Sequence, residues 1–321
     1  MARIEAVRAA AIALLRTALG VAAAAPLTAA ALDGARLRDD FRPPAVGPGG
    51  DVVFDALTFW RNRNPNGEID RTGSEPGVVR LGVRPGAFAG ATAGNGDVAD
   101  RSELREANAR QLQAGSPVWY RFALRIPADF PDTPNRFVVA QMKAPFAGAD
   151  AASPVFALRI ENRRLFATVE QSYDAATDPP PVPAVDGRCP DGSALASRHD
   201  GSEYPQIRVL LATGPAGLPP RRRGEYAVCA PGARVETFGE LPAVGEGWME
   251  LTVFVRTGQQ GRVELHADGR PVAVATGALG DADHRQRQYF KLGPYRNKAA
   301  EPASVEVSRF RRGASRADLE D

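Results

Sequence analysis

The sequence predicts an all-β protein, a β-jelly roll or concanavalin-like sandwich of two antiparallel sheets. Many short stretches alternate apolar and polar residues with a period of two, as in VWYRFALRIP and RFVVAQMKAP, which is typical of half-buried strands. Turn-forming residues separate these stretches, with 32 Gly and 27 Pro in 321 residues. Helical periodicity is almost absent, and many strands of this length without helices favour a sandwich or jelly roll.

The composition is that of a globular protein without a nucleic-acid partner. Hydrophobic residues make up 44% of the chain and charged residues 24%, which is the usual balance for a folded domain. The formal net charge is only +2, far below the basic excess of a nucleic-acid-binding domain. Any attraction for an acidic ligand must therefore come from local clusters of charge.

The chain is predicted to hold one domain behind a targeting segment. Residues 1–31 begin with the charged MARIEAVR and continue with an Ala- and Leu-rich run, which favours a signal peptide and hence a secreted or periplasmic protein. An amphipathic N-terminal helix that stays on the protein is the alternative. No later stretch is apolar for long enough to span a bilayer. Residues 32–313 are predicted to form a single domain, followed by a polar, frayed tail at 314–321.

Within the domain, short apolar pieces between turns predict the first strands, from about Leu37 to Asp100. SELREANARQLQ is the one interior candidate for a helical turn. Longer alternating strands follow, with tight turns predicted at Glu161-Asn162 and at the Asp-Gly of HADGRP. Residues 173–244 are predicted to be a long insertion with one strand, YPQIRVLLAT. The run from Arg221 to Arg223 within it is expected to be a solvated loop.

Both cysteines, Cys189 and Cys229, lie in this insertion. In an exported protein such a pair predicts a disulfide that closes a long loop. Two free thiols are the alternative. Neither cysteine has the neighbouring Cys or His residues that a zinc site needs, and no two of the three histidines have metal-ligand spacing. No metal site is therefore predicted.

Three predicted strands carry an unusual set of polar residues on one face. Phe290 and Leu292 point the opposite way, toward a core. Each strand by itself would simply turn a polar face to water. Together, however, the three faces would form a surface suited to an anionic, hydroxyl-rich ligand. The strands are RSEL, VVAQMKAP and QYFKLGPYRN, and the residues are Arg101, Glu103, Gln141, Lys143, Tyr289, Lys291 and Tyr295.

The order of these motifs resembles that of the jelly-roll polysaccharide lyases, which include alginate lyases, glucuronan lyase and the heparin lyase I family. The shared pattern is RSEL, then a strand with A-Q-x-basic, then YFKxGxY. The resemblance covers most of the chain from about Asp100 to Arg311, apart from the insertion. It is strongest to heparin lyase I-like proteins.

The resemblance implies β-elimination on a uronic-acid-containing acidic polysaccharide, which leaves an unsaturated uronate end. By the family pattern Tyr295 is the catalytic acid, while Gln141 and Arg101 hold or neutralise the uronate carboxylate. Cations near that carboxylate stabilise the negative charge that develops when the C5 proton leaves. Gly293 is expected to let the sugar approach the backbone. The residues predicted to bind substrate are Lys291, Glu103, Tyr289, Arg296 and His266.

Lys143 departs from the family pattern, because alginate and heparin lyases commonly have a histidine at this place. Lys143 could be the base if neighbouring cations depress its pKa. Alternatively, Lys143 only neutralises the carboxylate and Tyr295 serves as both base and acid, which is the version we favour. A third possibility is a site that binds but does not cleave, on a carbohydrate-binding protein with the same scaffold.

Other chemistry finds less support in the sequence. Jelly-roll β-glucanases need the pattern E-x-D-x-x-E on one strand, whereas GEIDRTG has Glu68 and Asp70 but Gly73 in the third place. A two-carboxylate hydrolase is therefore not expected. The resemblance implies no cofactor, with a structural calcium ion as an open alternative, and a monomer whose partner is the acidic polysaccharide.

Overall fold

The computed structural model describes only part of the chain. Every described residue belongs to the unit Gly34–Asp321, so the signal peptide predicted at 1–31 lies outside the described part. Within the described part, no helix is long and apolar enough to cross a membrane. The described residues are 36–42, 44–47, 50–60, 63–64, 67–70, 75–84, 99–144, 154–173, 178–199, 206–280, 287–297 and 300–320.

Strands dominate the described chain. The first are β1 (Leu37–Asp39), β2 (Ala45–Val46), β3 (Val52–Val53), β4 (Leu57–Phe59), β5 (Gly67–Asp70), β6 (Val78–Val83), β7 (Ala99–Arg101), β8 (Leu104–Glu106), β9 (Leu112–Gln113), β10 (Val118–Arg125), β11 (Phe137–Lys143) and β12 (Phe156–Glu161). Then come β13 (Arg164–Gln171), β14 (Val182–Pro183), β15 (Ala194–His199), β16 (Gln206–Thr213), β17 (Val228–Ala230), β18 (Ala233–Thr237), β19 (Trp248–Arg256), β20 (Gly258–Ala267), β21 (Arg270–Leu279), β22 (Arg287–Asn297) and β23 (Ala303–Gly313). The described helices are α1 (Pro220–Glu225) and two 3-10 helices, Asn108–Arg110 and Arg316–Leu319.

The strands form two antiparallel layers, which confirms the predicted jelly-roll sandwich. The back sheet has the order β5-β6-β23-β10-β19-β20-β21-β18, with β1 also paired to β23. The front sheet has the order β2-β3-β4-β8-β22-β11-β12-β13-β16-β15-β17-β14, with β7 and β9 also paired to β22. A pairing of Gln171 with Leu279 joins the two layers at one edge.

An aromatic core lies between the two sheets. Phe290 of the front sheet packs against Tyr120 and Phe122 of the back sheet, with ring centroids 4.4 Å and 5.4 Å away. Phe310 completes the cluster at 6.1 Å from Phe290. Each such aromatic pair adds about 0.5–1.5 kcal/mol beyond the burial of its area. Phe290 and Leu292 are both fully buried, which confirms the core face predicted for β22.

Two hairpins show how local chemistry sets the turns. Asp268 and Gly269 both have positive φ, 50° and 75°, as an Asp-Gly pair predicts for a two-residue hairpin loop. The turn between β12 and β13 lies one residue later than predicted. Asn162 and Arg163 carry the positive φ values, 48° and 54°, because Glu161 stays in the strand ladder. The helical turn predicted in SELREANARQLQ is limited to Asn108–Arg110, since Leu104–Glu106 is a strand.

Much of the segment 173–244 extends the front sheet beyond β13. β16, β15, β17 and β14 add to that edge in turn. Cys189 and Cys229 form a disulfide with their Cα atoms 5.6 Å apart, which confirms the predicted pairing. Helix α1 buries Arg222, whose Nε lies 2.7 Å from Glu161 Oε2. The expectation of a solvated loop is therefore wrong for this arginine.

The C-terminal tail is packed against the domain. Leu319 is buried, and Asp318 Oδ2 accepts a hydrogen bond from the Ser315 N–H at 2.8 Å. Arg36 Nη2 donates to the other oxygen of Asp318 at 2.7 Å. The predicted fraying is therefore wrong for residues 314–320, because one buried leucine and a capped 3-10 helix anchor them.

Candidate active site

Neighbouring strands of the front sheet bring most of the predicted site residues together. β22 pairs with β11 on one edge and with β7 and β8 on the other. In this register Tyr295 lies opposite Arg101, and Lys291 lies between Gln141 and Arg105. Directly opposite residues on neighbouring strands point to the same face. These side chains therefore share the face of the front sheet that points away from the core, called the site face below.

Glu103 lies at the centre of the cluster. The residue is 3% exposed, and its Oε2 accepts a hydrogen bond from Lys291 Nζ at 2.9 Å. The same oxygen lies 3.0 Å from Arg101 Nε, and Oε1 accepts a hydrogen bond from Gln141 Nε2. An enclosed carboxylate with three partners holds those side chains in place rather than facing a sugar.

Burial and mutual charge tune the ionisation of this cluster. Burial by itself raises the pKa of Glu103, but Lys291 and Arg101 outweigh that effect, so the pKa is lowered. Burial lowers the pKa of Lys291 to about 7, although Glu103 opposes the shift. Burial also lowers the pKa of Lys143, again against the attraction of Glu103. The site therefore concentrates cations around one carboxylate and includes a lysine that changes charge near neutral pH.

Arginines lie over aromatic rings at the edge of the cluster. The guanidinium carbon of Arg101 lies 4.8 Å from the ring centroid of Tyr295. That of Arg105 lies 4.0 Å from Tyr289 and 4.9 Å from Trp60. Stacking of this kind restrains a guanidinium and keeps its N–H edge available to an anionic ligand. Burial raises the pKa of Tyr289, which therefore stays protonated at neutral pH.

The alternation of RSELRE fixes the position of the charged side chains. Arg101, Glu103 and Arg105 lie on the site face, whereas Leu104 and Glu106 are fully buried beneath it. The buried carboxylate of Glu106 accepts one hydrogen bond from the backbone of β22 and one from a guanidinium of β23, both at 2.7 Å. These inward contacts set the register of β8, and a slip of one residue would bury the site-face charges.

Two residues of the motif YFKLGPYR have roles other than those predicted. Gly293 has a φ of 116°, and a Cβ there would lie 2.1 Å from the carbonyl oxygen of Ser102. Close approach of two strands, not of a sugar, therefore requires this glycine. Arg296 is fully buried, with its Nε 3.0 Å from Asp100 Oδ2 and its guanidinium 5.1 Å from the Phe137 ring. Its predicted role in substrate binding is wrong, because it points into the protein.

His266 lies in the other layer of the sandwich. It belongs to β20 of the back sheet, where its ring centroid is 6.3 Å from that of Trp119. Its Nε2 is 3.7 Å from Glu264 Oε2, and burial is the main cause that lowers its pKa. His266 therefore does not lie on the site face with the other predicted residues. A period-two pattern assigns a residue to a face of its strand but does not assign the strand to a sheet.

Sequence reasoning missed two arginines of the site face. Arg105 continues the alternation of Arg101 and Glu103 by one period, so the same pattern would have predicted it. Arg136 precedes β11, and Tyr295 is among its electrostatic neighbours. No sequence signal places Arg136, because its position depends on the turn before the strand.

The described residues contain no cluster of three or more His, Cys, Asp or Glu side chains that could hold a metal ion. Glu68 and Asp70, the incomplete hydrolase pattern, lie on β5 of the back sheet. The Glu68 side chain is 42% exposed and pairs with Arg84. These carboxylates thus lie in the other layer from Glu103.

A jelly-roll sandwich that gathers arginines, lysines and tyrosines on one sheet face has the features of an enzyme that acts on carbohydrate. The family model described as polysaccharide lyase matches residues 61–311. The chain belongs to this family and is a jelly-roll polysaccharide lyase.

Comparison with solved structures finds similar chains at low sequence identity. An endo-β-1,4-glucuronan lyase from the fungus Trichoderma reesei is similar with a TM-score of 0.51 and 15% identity, over 88% of this chain and 98% of that one. The alginate lyase A1-II′, a member of polysaccharide lyase family 7, gives a TM-score of 0.40 and 12% identity, over 74% of this chain and 79% of that one. No curated protein sequence matches this chain significantly.

Proposed function

We propose that this lyase cleaves a uronate-containing acidic polysaccharide by β-elimination on the site face around Glu103. The observation that carries the proposal is the gathering of Arg101, Lys143 and Lys291 beside Tyr295. Elimination removes the proton at C5, forms a C4–C5 double bond and breaks the bond from C4 to the glycosidic oxygen. Negative charge develops on the uronate carboxylate as the proton leaves, and preorganised cations stabilise that charge.

The proposed complex uses two accessible cations of the cluster and the neighbouring amide of Gln141 to hold the substrate. Arg101 and Lys143 would neutralise the uronate carboxylate, and Gln141 would align it. The Arg101 side chain is 32% exposed and Lys143 is half-buried, so both can reach a ligand. Arg105, stacked over Tyr289, would contact the substrate on the adjoining part of the site face. Side chains of this kind are fixed in position before the substrate arrives, so they need little reorganisation during the reaction.

Tyr295 is assigned both proton transfers. The residue is half-buried at the site face and lies under Arg101. In its ionised form the phenolic oxygen would take the C5 proton and then donate it to the oxygen that leaves C4. Tyr295→Phe should therefore lower kcat by about 10²–10⁴-fold, while the dissociation constant for substrate changes little because the ring remains.

Tyr120→Phe is the matched control for this change. The Tyr120 hydroxyl is buried between the sheets and has no hydrogen-bond partner among the described residues, so its removal should leave turnover unchanged. If Tyr295→Phe keeps wild-type turnover, the role assigned to Tyr295 is wrong.

Lys143 is assigned charge neutralisation. The rival role, in which Lys143 takes the C5 proton, draws support from its lowered pKa. Lys143→Arg separates the two, because arginine keeps the positive charge but does not give up a proton at neutral pH. We expect this variant to keep at least about a tenth of wild-type kcat. A loss as large as that of a removed general base, about 10²-fold or more, would transfer the role of base to Lys143.

The activity itself is tested on a panel of acidic polysaccharides. The purified protein is incubated with glucuronan, alginate, a heparinoid and bacterial exopolysaccharides, and the ultraviolet absorbance of an unsaturated uronate is followed. We expect absorbance to rise with at least one polymer. Binding without any rise in absorbance would favour a non-catalytic carbohydrate-binding protein instead.

We also propose that the protein is exported and belongs to the heparin lyase I-like branch of the family. The disulfide between Cys189 and Cys229 supports an oxidising compartment, and the motifs RSEL, AQMK and YFKLGPY support the branch. Mass spectrometry of the protein isolated from the producing cells should find a chain that begins near residue 32 in the exported fraction. An uncleaved chain confined to the cytoplasm would contradict export.

A further inference from the structure

A second cluster of arginines lies on the site face next to Tyr295. Val138 of β11 lies opposite Tyr295 on one side and opposite Arg159 of β12 on the other. Arg159 is therefore two strands away from Tyr295 on the same face, about 10 Å at the usual spacing of strands. Arg136 interacts electrostatically with both Tyr295 and Arg159. Arg208 of β16, a further electrostatic neighbour of Arg159, continues the arginine cluster away from the site.

Some members of this cluster have carboxylate partners among the described residues. Arg208 pairs with Glu170 at 3.5 Å, and Glu170 also lies in the field of Arg159. Helix α1 brings a fourth arginine that pairs with two carboxylates of its own. Four guanidinium groups thus lie among three carboxylates of the described residues. The groups are Arg136, Arg159, Arg208 and Arg222, with Glu161, Glu170 and Glu225.

Arg159 is the least compensated member. It is 1% exposed, and its Nε donates to Thr168 Oγ1 at 2.9 Å. Its Nη1 and Nη2 are buried and have no hydrogen-bond partner among the described residues. Burial lowers the pKa of Arg159 and lowers that of Arg136 to about 10, yet arginine remains charged at neutral pH. A buried charge without its own partner is costly, so an added anion would be favourable here.

Arg136 gives this cluster access to solvent. Its side chain is half-buried, and both Arg159 and Tyr295 are among its electrostatic neighbours. Two guanidinium groups together offer the paired N–H donors that match a carboxylate. A bound carboxylate would also bring a negative charge beside these guanidinium groups.

We propose that Arg136 and Arg159 form a second anion subsite, which binds the carboxylate of the sugar next to the one whose C5 proton is removed. Arg136 makes the contact with the ligand, and the buried Arg159 adds its positive charge. The subsite selects polymers in which adjacent sugars are both acidic. This inference rests on the proposed function, because it assumes that Tyr295 marks the position of cleavage.

The segment 173–244 supplies one wall of this subsite. Tyr226, which follows α1, is buried and is an electrostatic neighbour of Arg159 and Arg208. Its hydroxyl is hydrogen-bonded to Ser197 of β15. The added strands therefore do more than widen the sheet, since they enclose the arginine cluster on the side away from Tyr295.

Equilibrium binding tests the subsite independently of turnover. Tyr295→Phe serves as the parent, so that the ligand is not consumed, and the probes are polyglucuronate and the same polymer with half of its carboxylates reduced to alcohols. Addition of Arg136→Gln should weaken the binding of polyglucuronate about tenfold and should shrink the difference between the two polymers. Arg270→Gln, an exposed arginine in the hairpin of the back sheet, is the control and should change neither value by more than about twofold.

Variants at Arg159 distinguish a binding role from a structural one. Arg159→Lys keeps the charge, so its affinity for polyglucuronate should lie between that of the parent and that of Arg159→Gln. The melting temperature of each variant is measured alongside to detect a loss of stability. If Arg159→Gln does not fold, Arg136→Gln alone decides the matter. Equal weakening of both polymers, or no weakening, would overturn the subsite.

Cleavage by the wild-type protein separates this inference from the proposed function. If wild-type protein cleaves uronate polymers but Arg136→Gln binds them like the parent, the lyase proposal stands and the subsite is wrong. If the selective weakening is found but no polymer is cleaved, the subsite stands and the proposed activity is wrong. In wild-type background the subsite predicts a KM about tenfold higher for Arg136→Gln with kcat within about twofold.

Discussion

Replacement of Glu103 by glutamine should destabilise the protein far more than the same replacement at a more exposed ion pair. The carboxylate lies 2.9 Å from Lys291 Nζ and 3.0 Å from Arg101 Nε. At an effective dielectric constant of 20 each contact is worth about 6 kcal/mol of Coulomb attraction, before the opposing cost of burial is subtracted. Removal of one partner of a buried pair typically costs about 3–5 kcal/mol. A glutamine keeps the shape but not the charge, so we expect a loss of about 3 kcal/mol.

Urea unfolding of Glu103→Gln at neutral pH measures this loss. Glu250→Gln is the matched control, because Glu250 also pairs with an arginine at 2.8 Å but its side chain is 27% exposed. Ion pairs of that kind contribute about 0–1 kcal/mol. The two variants therefore differ in burial and in the number of partners, and not in the chemical change.

The catalytic effect of Glu103→Gln follows from the same contacts. Glu103 raises the pKa of Lys291 against burial, so its loss should leave Lys291 neutral at pH 7 and reduce the positive charge available to the substrate. We expect kcat/KM to fall at least about tenfold, which corresponds to about 1.4 kcal/mol. If the variant loses no more stability than Glu250→Gln and keeps its activity, Glu103 does not organise the cations.

Three further outcomes follow from named contacts. Reduction of the disulfide between Cys189 and Cys229, which are 40 residues apart, should lower the free energy of unfolding by up to about 4 kcal/mol. Urea titrations with and without reductant measure this loss. Cys189→Ala is the control, because reductant should not change its stability. The free energy of unfolding should rise between pH 7 and about 10. In this range Lys291 is protonated in the unfolded chain but deprotonated in the folded protein, where its pKa is about 7. Lys291→Met should make that rise shallower, and an unchanged slope would contradict the lowered pKa. Arg105→Ala should raise KM for a uronate polymer about tenfold. An unchanged KM would show that Arg105 does not contact the substrate.

The sequence predicts the architecture better than it predicts side-chain partners. Period two in β22 correctly places Phe290 and Leu292 in the core, because one face of the strand must be buried. The same rule places Arg296 on that buried face, so the substrate-binding role predicted for this residue does not follow from the pattern. Its buried position depends on a carboxylate from another strand, Asp100, that compensates the charge. No local pattern in the sequence predicts an ion-pair partner that lies 196 residues away in the chain.

Features that depend on two distant segments are also beyond the sequence. The segment 173–244 was predicted as an insertion with one strand, yet it supplies Tyr226 and Arg208 to the arginine cluster. His266 lies on a strand of the expected kind, but the pairing of β20 with β19 puts it in the back sheet. Strand pairing decides both cases, and pairing is set by the whole core rather than by the residues of one strand.

The buried ion pairs beneath the site face favour one alignment of the strands. Arg296 with Asp100 and Arg312 with Glu106 are fully enclosed, and each joins a strand near the C-terminus to one of the two short strands that carry the RSELR cations. A misaligned ladder would leave these four charges facing apolar groups, at a cost of several kcal/mol for each unpaired ion. The correct strand alignment is therefore favoured over such misalignments, and the alignment that pairs these buried charges is also the one that places Arg101 and Arg105 on the site face.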